Sequence, residues 1–390
     1  MVVGLIPLQR SIFNDDHEAF RKAVRDFADK EVVPNLTKWE QQKKVDRELY
    51  CKAGDMGLLG IDVPERFGGG GIDDIRFSAV VAEELCSAGA YAVAMNFIGF
   101  NDLVAPYFIA LGTASQNARW LAPMCSGEKI GAIAMTEPGT GSDLAAVATT
   151  AQPDKTGFVL NGSKTFITNG GLADLIIVVA KTDPEARKRG FSLLVVEGDM
   201  PGLSRTGPMD KVGLTTQETA ELHFDDVHIP AENVLGEPNK GFGYLRSNLV
   251  RERLSIAVCS MAAMARSFQT ALQHATDRHA FGQPIANFQA NKFYLAELAT
   301  EIQIAQVFID RCLLDATFGN LDEVHAAMAK WWTTELHLKV VHRAVQLHGG
   351  YGYMREYEVA KDYLDSRAST IFGGTTEIMK EIIGRRVTGS

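Results

Sequence analysis

The hydrophobic pattern of this chain changes its period twice, and nothing else in the sequence constrains the fold as strongly. From Asp15 to about Gly127 apolar residues recur every three or four positions, as in Phe20, Val24 and Phe27 and again in Val80, Val81 and Leu85, which is the spacing of amphipathic helices. Breaks fall at Gly54 to Gly60 and at the run Gly68 to Gly71; no GxGxxG or GK[ST] pattern accompanies that run, so it reads as a loop between helices. Between about Lys129 and Gly236 the apolar runs shorten. LIIVVA (175–180) and FSLLVVE (191–197) are bounded by turn residues, as buried strands are, and AELHFDDVHIP (220–230) alternates. GFVLNGSKTFITNG (157–170) predicts a hairpin that turns at Asn161-Gly162. From Gly241 onward helical spacing returns around 242–278, 286–318, 322–347 and 375–386, long stretches whose short connections predict a helix bundle. The expected class is α+β, divided into an N-terminal α-helical domain (1–128), a middle β domain (129–236) and a C-terminal bundle domain (237–390).

Composition narrows the function. With 390 residues, 46% of them hydrophobic, the chain can bury a substantial core. A formal charge of −9 argues against a nucleic-acid surface, which shows as a basic excess or stripe. The five cysteines (Cys51, Cys86, Cys125, Cys259, Cys312) are scattered and never in CxxC spacing, so they are expected as reduced core residues. His325, His337, His342 and His348 lie in helical sequence without HExxH, and Trp331-Trp332 reads as core. The N-terminal MVVGLIPLQRSIFNDD lacks a charged segment followed by a long apolar one, and no stretch approaches the ~18 uninterrupted apolar residues of a membrane span. A cytoplasmic location is the expectation.

One loop carries chemistry. In IAMTEPGTGSDLAA (133–146), Pro138, Gly139 and Gly141 enforce a turn, Thr136 and Ser142 offer hydroxyls, and the glycines let backbone N–H groups approach a ligand. Taken alone it is equally a structural turn. With KTFITNG (164–170), RHAFGQPIANFQA (278–290), QLHGGYGY (346–353) and IFGGTTEI (371–378), in this order, the chain resembles the acyl-CoA dehydrogenase family over nearly its whole length.

That resemblance implies an N-terminal α domain, a middle β-barrel or sandwich and a C-terminal four-helix bundle, with FAD between the last two. It implies flavin contacts from Met135, Thr136, Ser142, Phe166 and Thr168, and contacts to a partner subunit's cofactor from Arg278, Phe281, Gln289, Gln346, Gly349 and Gly350. Thr375 and Glu377 match positions at the cofactor's nucleotide end; by themselves they read as a solvated helix N-terminus. Ser142, Tyr244, Arg253 and Gly374 match positions along the substrate. An acyl-CoA or acyl-carrier thioester, an electron-transfer flavoprotein and a homo-oligomer, usually a dimer of dimers, are the implied partners, with a role in fatty-acid β-oxidation.

Desaturating an acyl thioester requires a base for the α proton while the β hydrogen leaves as hydride to flavin N5. Many family members carry a glutamate where this chain has Gly373; the long-chain and isovaleryl-type branch supplies it from an earlier helix. SNLVRERLSIAVC (247–259) contains Glu252, which precedes Phe281 by 29 residues, as that branch requires. Leu245, Leu249, Glu252, Ile256 and Cys259 share one helical face, so the carboxylate projects from an apolar stripe, where desolvation raises its pKa toward a useful range. The alternative is a structural ion pair with Arg251, Arg253 or a neighbouring helix; Glu83, Glu84 and Glu137 are weaker candidates for the base. Gly373 keeps a backbone N–H for the thioester carbonyl. Three further readings remain open: a dehydrogenase acting on carrier-protein-tethered acyl groups, a flavin oxidase or monooxygenase on this fold, disfavoured because those usually lack a base in this position, and a catalytically silent flavin-binding protein.

Overall fold

The computed structural model describes residues 8–389; the first seven residues of the N-terminal stretch considered above lie outside them. Helices α1 (Asp15–Phe27), α2 (Leu36–Gln42), α3 (Arg47–Asp55), α4 (Ile75–Ser87), α5 (Tyr91–Ile98), α6 (Ala105–Leu111) and α7 (Ala114–Cys125) come first. Reciprocal capping boxes start α1 at Asn14 and α7 at Thr113, each side chain accepting from the N–H three residues on. Between α5 and α6 the backbone widens into a π-turn, Gly99–Val104, which turns Asn101 and Asp102 inward. The run Tyr91–Leu111 is long and apolar enough to cross a membrane by length and composition, but 78% of its apolar 18-residue stretch is buried inside the protein.

Strands β1 (Gly131–Ala134), β2 (Thr150–Pro153), β3 (Gly157–Thr168), β4 (Leu175–Lys181), β5 (Phe191–Glu197), β6 (Leu203–Thr206), β7 (Thr219–Pro230) and β8 (Val234–Leu235) form one connected sheet. The order is β6-β7-β3-β2-β4-β5-β8, with β1 parallel to β4. The continuous apolar runs of β4 and β5 are explained by burial on both faces. Leu175, Ile177, Val179, Leu193 and Val195 join the helical core, while Ile176, Val178, Leu194 and Val196 join a second core that the sheet encloses with Leu160, Leu222 and Val227.

The predicted hairpin at Asn161-Gly162 does not form. β3 passes this pair unbroken, as a bulge where its register against β7 shifts between Leu160 and Gly162. Both halves of the run pair with the same long neighbour, so staying extended keeps the full ladder. Gly162 serves close approach instead, because a Cβ there would meet Thr149 Oγ1 at 2.6 Å.

The C-terminal part holds α8 (Gly241–Asp277), the small hairpin β9 (His279–Ala280) and β10 (Gln283–Pro284), then α9 (Gln289–Thr317), α10 (Glu323–His348), α11 (Glu358–Ser366) and α12 (Thr376–Thr388). The first half of α8 packs into the core shared with the N-terminal helices, and its second half packs with α9 and α10. Helical phase overturns two expectations. Leu49, Tyr50 and Ala53 take the inner face of α3, leaving Cys51 exposed while the other four cysteines are buried. Lys330, Thr333 and Thr334 take the inner face of α10, so Trp332 is exposed rather than core.

Candidate active site

A cavity of about 1010 Å³ opens where the sheet, α8 and α12 meet. Met135, Thr136 and Ser142 wall it from the loop after β1, Leu249 and Glu252 from α8, and Gly373 and Gly374 from the turn before α12. The stripe on α8 is as expected: Leu245, Ile256 and Cys259 are buried, Leu249 is half-buried, and Glu252 reaches from among them into the cavity.

Glu252 has no ion-pair partner among the described residues. Arg251 turns the other way, donating from Nε to Asp102 Oδ1 at 3.0 Å and from Nη1 to Asp62 Oδ2 at 2.5 Å. Asp102 also accepts from Ser78 and Ser255, each at 2.7 Å, so a buried network anchors α8 to the N-terminal helices. Arg253 donates to Glu323 at 3.4 Å. Glu252 Oε2 is occluded and accepts no hydrogen bond from the described residues. Burial pushes its pKa up to about 7, with the charges of Arg253 and Lys330 opposing the shift. The competing carboxylates are engaged elsewhere: Glu83 and Glu84 pair with Arg10, Arg21 and Arg25, and Glu137 pairs with Lys164.

Gly373 and Gly374 both adopt left-handed backbone, φ +63° and +95°. A Cβ on Gly373 would collide with Ile256 Cδ1 and stand 3.4 Å from Glu252 Oε1. Lys330 of α10 donates from Nζ to the Gly374 carbonyl at 2.6 Å. Thr375 is the N-cap of α12, its hydroxyl accepting from the Ile378 N–H at 3.3 Å, and Glu377 is exposed in the first turn.

A buried ion pair props the glycine-rich loop from beneath. Lys164 Nζ donates to Glu137 Oε1 at 2.9 Å and to the Met135 carbonyl at 3.0 Å, while Glu137 also accepts from the N–H groups of Ala148 and Thr149. Burial opposes the Glu137 charge, but Lys164 and these donors outweigh it and hold the carboxyl below its usual range. Next door, the Thr165 N–H donates to the Thr136 carbonyl at 2.9 Å, coupling the loop to the end of β3. There the register slips again, and Phe166 stands 67% exposed at φ +59°. A large ring held outward by left-handed backbone gains nothing from its own fold.

These observations fit a flavin met by the loop hydroxyls on one wall of the cavity and by an outward aromatic ring at the neighbouring end of β3, with the unpaired carboxylate left to serve the substrate. Phe166 and Thr168 do not line the cavity themselves; their segment is tied to its wall through the Thr165 N–H bond to Thr136. Arg278, Phe281, Gln289, Gln346, Gly349 and Gly350 are gathered at the far ends of α8, α9 and α10, away from this cavity and all exposed. Phe281, 95% exposed, tips the β9–β10 hairpin, where it and Gly282 both have positive φ as a tight primed turn requires. Tyr244 departs from expectation. It does not line the cavity; its ring packs on Gly236 and its hydroxyl accepts from the Glu237 N–H at 3.2 Å, because its place on α8 points toward β8.

Lys330 and Lys164 were missed from the sequence. For Lys330 a signal existed: it shares a helical face with Ala326, Ala327, Thr334 and His337, so helical phase alone puts a lysine inside. Among the described residues no cluster of His, Cys, Asp and Glu is arranged to hold a metal ion.

Three family models match consecutive stretches: the acyl-CoA dehydrogenase N-terminal domain over 14–128, the middle domain over 132–227 and the C-terminal domain over 239–388. The chain is 46% identical over 380 residues to the mitochondrial long-chain specific acyl-CoA dehydrogenase of Mus musculus, covering 97% of this chain and 88% of that protein. It superposes with a TM-score of 0.95 on the crystal structure of acyl-CoA dehydrogenase from Geobacillus kaustophilus, at 45% identity and covering 97% of this chain and all of that one. A chain from a structure described as the electron transferring flavoprotein of Acidaminococcus fermentans superposes with a TM-score of 0.92 at 31% identity, covering 97% and 99% of the two chains. With matching family models over nearly the whole length, and with the geometry above, this chain belongs to the acyl-CoA dehydrogenase family of FAD-dependent oxidoreductases.

Proposed function

We propose that this chain desaturates saturated long-chain acyl-CoA thioesters between Cα and Cβ to the trans-2-enoyl products, with Glu252 as the base. The observation that carries this reading is the unpaired Glu252 carboxylate in the cavity, beside a Gly373 backbone bare of side chain. With a pKa near 7, a substantial fraction of Glu252 is anionic at neutral pH, and its conjugate acid is no stronger than proton abstraction requires. The Gly373 N–H is the donor proposed for the thioester carbonyl, where it would acidify the α proton by stabilising enolate-like charge. Arg253, buried at the cavity wall, and Ser142 and Gly374 are proposed to hold the thioester and its carrier.

Met135, Thr136, Ser142, Phe166 and Thr168 would hold FAD in the same chain, with Thr375 and Glu377 at its nucleotide end. Arg278, Phe281, Gln289, Gln346, Gly349 and Gly350 would reach the cofactor of a partner subunit. The exposure of Phe281 on a rigid hairpin fits a subunit contact in a homo-oligomer; the dimer of dimers is proposed on the family resemblance alone. When bound, FAD would supply the hydride acceptor, with an electron-transfer flavoprotein as the proposed destination of the electron pair. Similarity to the long-chain enzyme of Mus musculus supports the chain length, and similarity to the Acidaminococcus fermentans chain supports the electron acceptor.

The test is anaerobic addition of saturated acyl-CoA thioesters to the flavin-loaded protein. Bleaching of the flavin band, fastest with long chains and lost in Glu252→Gln, supports the reading. Bleaching only by an acyl-carrier-protein thioester would move the substrate to the carrier-tethered class, and unchanged bleaching in Glu252→Gln would remove this base.

A further inference from the structure

Lys330 is fully buried on the inner face of α10, 0% exposed, and its ammonium donates to the Gly374 carbonyl at 2.6 Å. No carboxylate among the described residues pairs with it directly. A buried ammonium in that condition is expensive, and methionine would fill the same space without the cost. Charged and titratable groups act on this corner from α8, α10 and α12. Glu252 and Arg253 come from α8, Glu335 from α10 itself and Glu377 from α12, while Tyr107 of α6 borders Glu252. Glu335 accepts from the Thr376 hydroxyl at 2.6 Å, and among these charges Glu252 acts most strongly on Lys330. The buried cation therefore holds the turn that presents the Gly373 N–H and acts through space on the carboxylate that faces that turn.

We propose that Lys330 is a positioning residue for the desaturation: it fixes the Gly373–Gly374 turn through the Gly374 carbonyl and supplies the buried positive charge that keeps Glu252 anionic and steadies the charge forming on the thioester oxygen. The inference rests on the reading of Glu252 as the base. Burial draws the ammonium's pKa down to about 8, with Glu252 opposing, so at neutral pH the cation persists beside the anion. Once Glu252 has taken the α proton it is neutral, and the positive charge of Lys330 is left to act on the substrate's developing oxyanion.

The experiment uses the flavin-loaded full chain with Lys330→Met and Lys330→Gln. Glutamine keeps a donor for the Gly374 carbonyl and lacks the charge, so it separates the two roles and decides the matter if Lys330→Met does not fold. The acidic limb of kcat/KM for a long-chain acyl-CoA should move up by about one pH unit in both variants, because the Glu252 anion keeps Arg253 but loses the charge of Lys330. kcat should fall at least about tenfold with KM little changed. Calorimetry supplies a readout without turnover: a 3-oxoacyl-CoA, whose acidic α carbon ionises to an enolate, should bind at least about tenfold more weakly, while an S-alkyl-CoA thioether lacking the carbonyl binds as before. An unshifted limb in Lys330→Gln, or equal weakening of both ligands, overturns the proposal in favour of a purely structural lysine. Glu252→Gln run in parallel keeps the failures apart. Wild-type turnover in Glu252→Gln sinks the base assignment and the Lys330 proposal with it, whereas an inactive Glu252→Gln beside an unshifted Lys330→Gln sinks the Lys330 proposal alone.

Discussion

Glu252 Oε1 lies 3.4 Å from the point that a Cβ on Gly373 would occupy. The carboxylate on α8 thus reaches the volume into which a side chain at position 373 would project. The two positions are alternatives for presenting an acid to one place, and Ile256 Cδ1 closes the space that remains.

Removing the carboxylate while keeping its shape gives the most direct outcome. Glu252→Gln should retain flavin and fold but lose roughly 10²–10⁴-fold in kcat, the range expected for a missing general base. In the wild-type protein the acidic limb of kcat/KM should fall near pH 7, where burial has placed this group. A rate within a few-fold of wild type would exclude it.

If the two positions are alternatives, the acid can be moved. Gly373→Glu alone should be inactive, since the new Cβ meets Ile256 and its carboxylate crowds Glu252. In an E252G/I256A background, adding G373E should restore at least about tenfold activity over that background, less a cost of about 1–3 kcal/mol for left-handed backbone on a non-glycine residue. Steady-state rates of the three proteins decide it; no gain from G373E would mean the geometry is not interchangeable.

The raised pKa of Glu252 carries a stability consequence of defined sign. Below about pH 4.5 the group is protonated in both folded and unfolded chains and contributes nothing differential. As pH rises from there toward 7 the unfolded chain ionises first, so folding loses stability, at most about 3 kcal/mol and less where the cavity admits water. Glu252→Gln lacks this loss. Its melting temperature should gain on wild type between pH 5 and pH 8, and a constant difference across that range would contradict the burial argument.

The ion pair beneath the glycine-rich loop should matter for the cofactor more than for the substrate. Lys164→Met leaves Glu137 buried with only its backbone donors and frees the Met135 carbonyl. A destabilisation of about 3–5 kcal/mol and at least tenfold weaker FAD binding are expected. Denaturant unfolding and fluorescence titration of the apoprotein measure the two.

Arg251 is expected to act on the fold. Arg251→Met strands Asp62 and Asp102 at the junction of α8 with the N-terminal helices, and should lower unfolding free energy by about 3–5 kcal/mol. Loss of turnover without loss of stability would instead place Arg251 in the site.

The change of hydrophobic period from three or four to two and back is a local property, written in neighbouring residues, and it determined the helical, sheet and helical parts without reference to any contact. The stripe Leu245, Leu249, Glu252, Ile256 and Cys259 is local in the same sense, because helical geometry assigns a face from spacing alone. What the carboxylate faces is a matter of distance in space. Arg251 and Arg253 are its sequence neighbours and were its natural partners, yet helical rotation sends them to Asp102 and Glu323, residues 149 and 70 positions away. Asn161-Gly162 had the local signature of a turn and became a bulge, since β7 offered a continuous ladder to both halves of the run. Lys330 gained its place only when α10 packed under the turn before α12. Period and phase are decided within a few residues of chain, whereas pairing and burial of charge depend on which distant segments the packed core brings together.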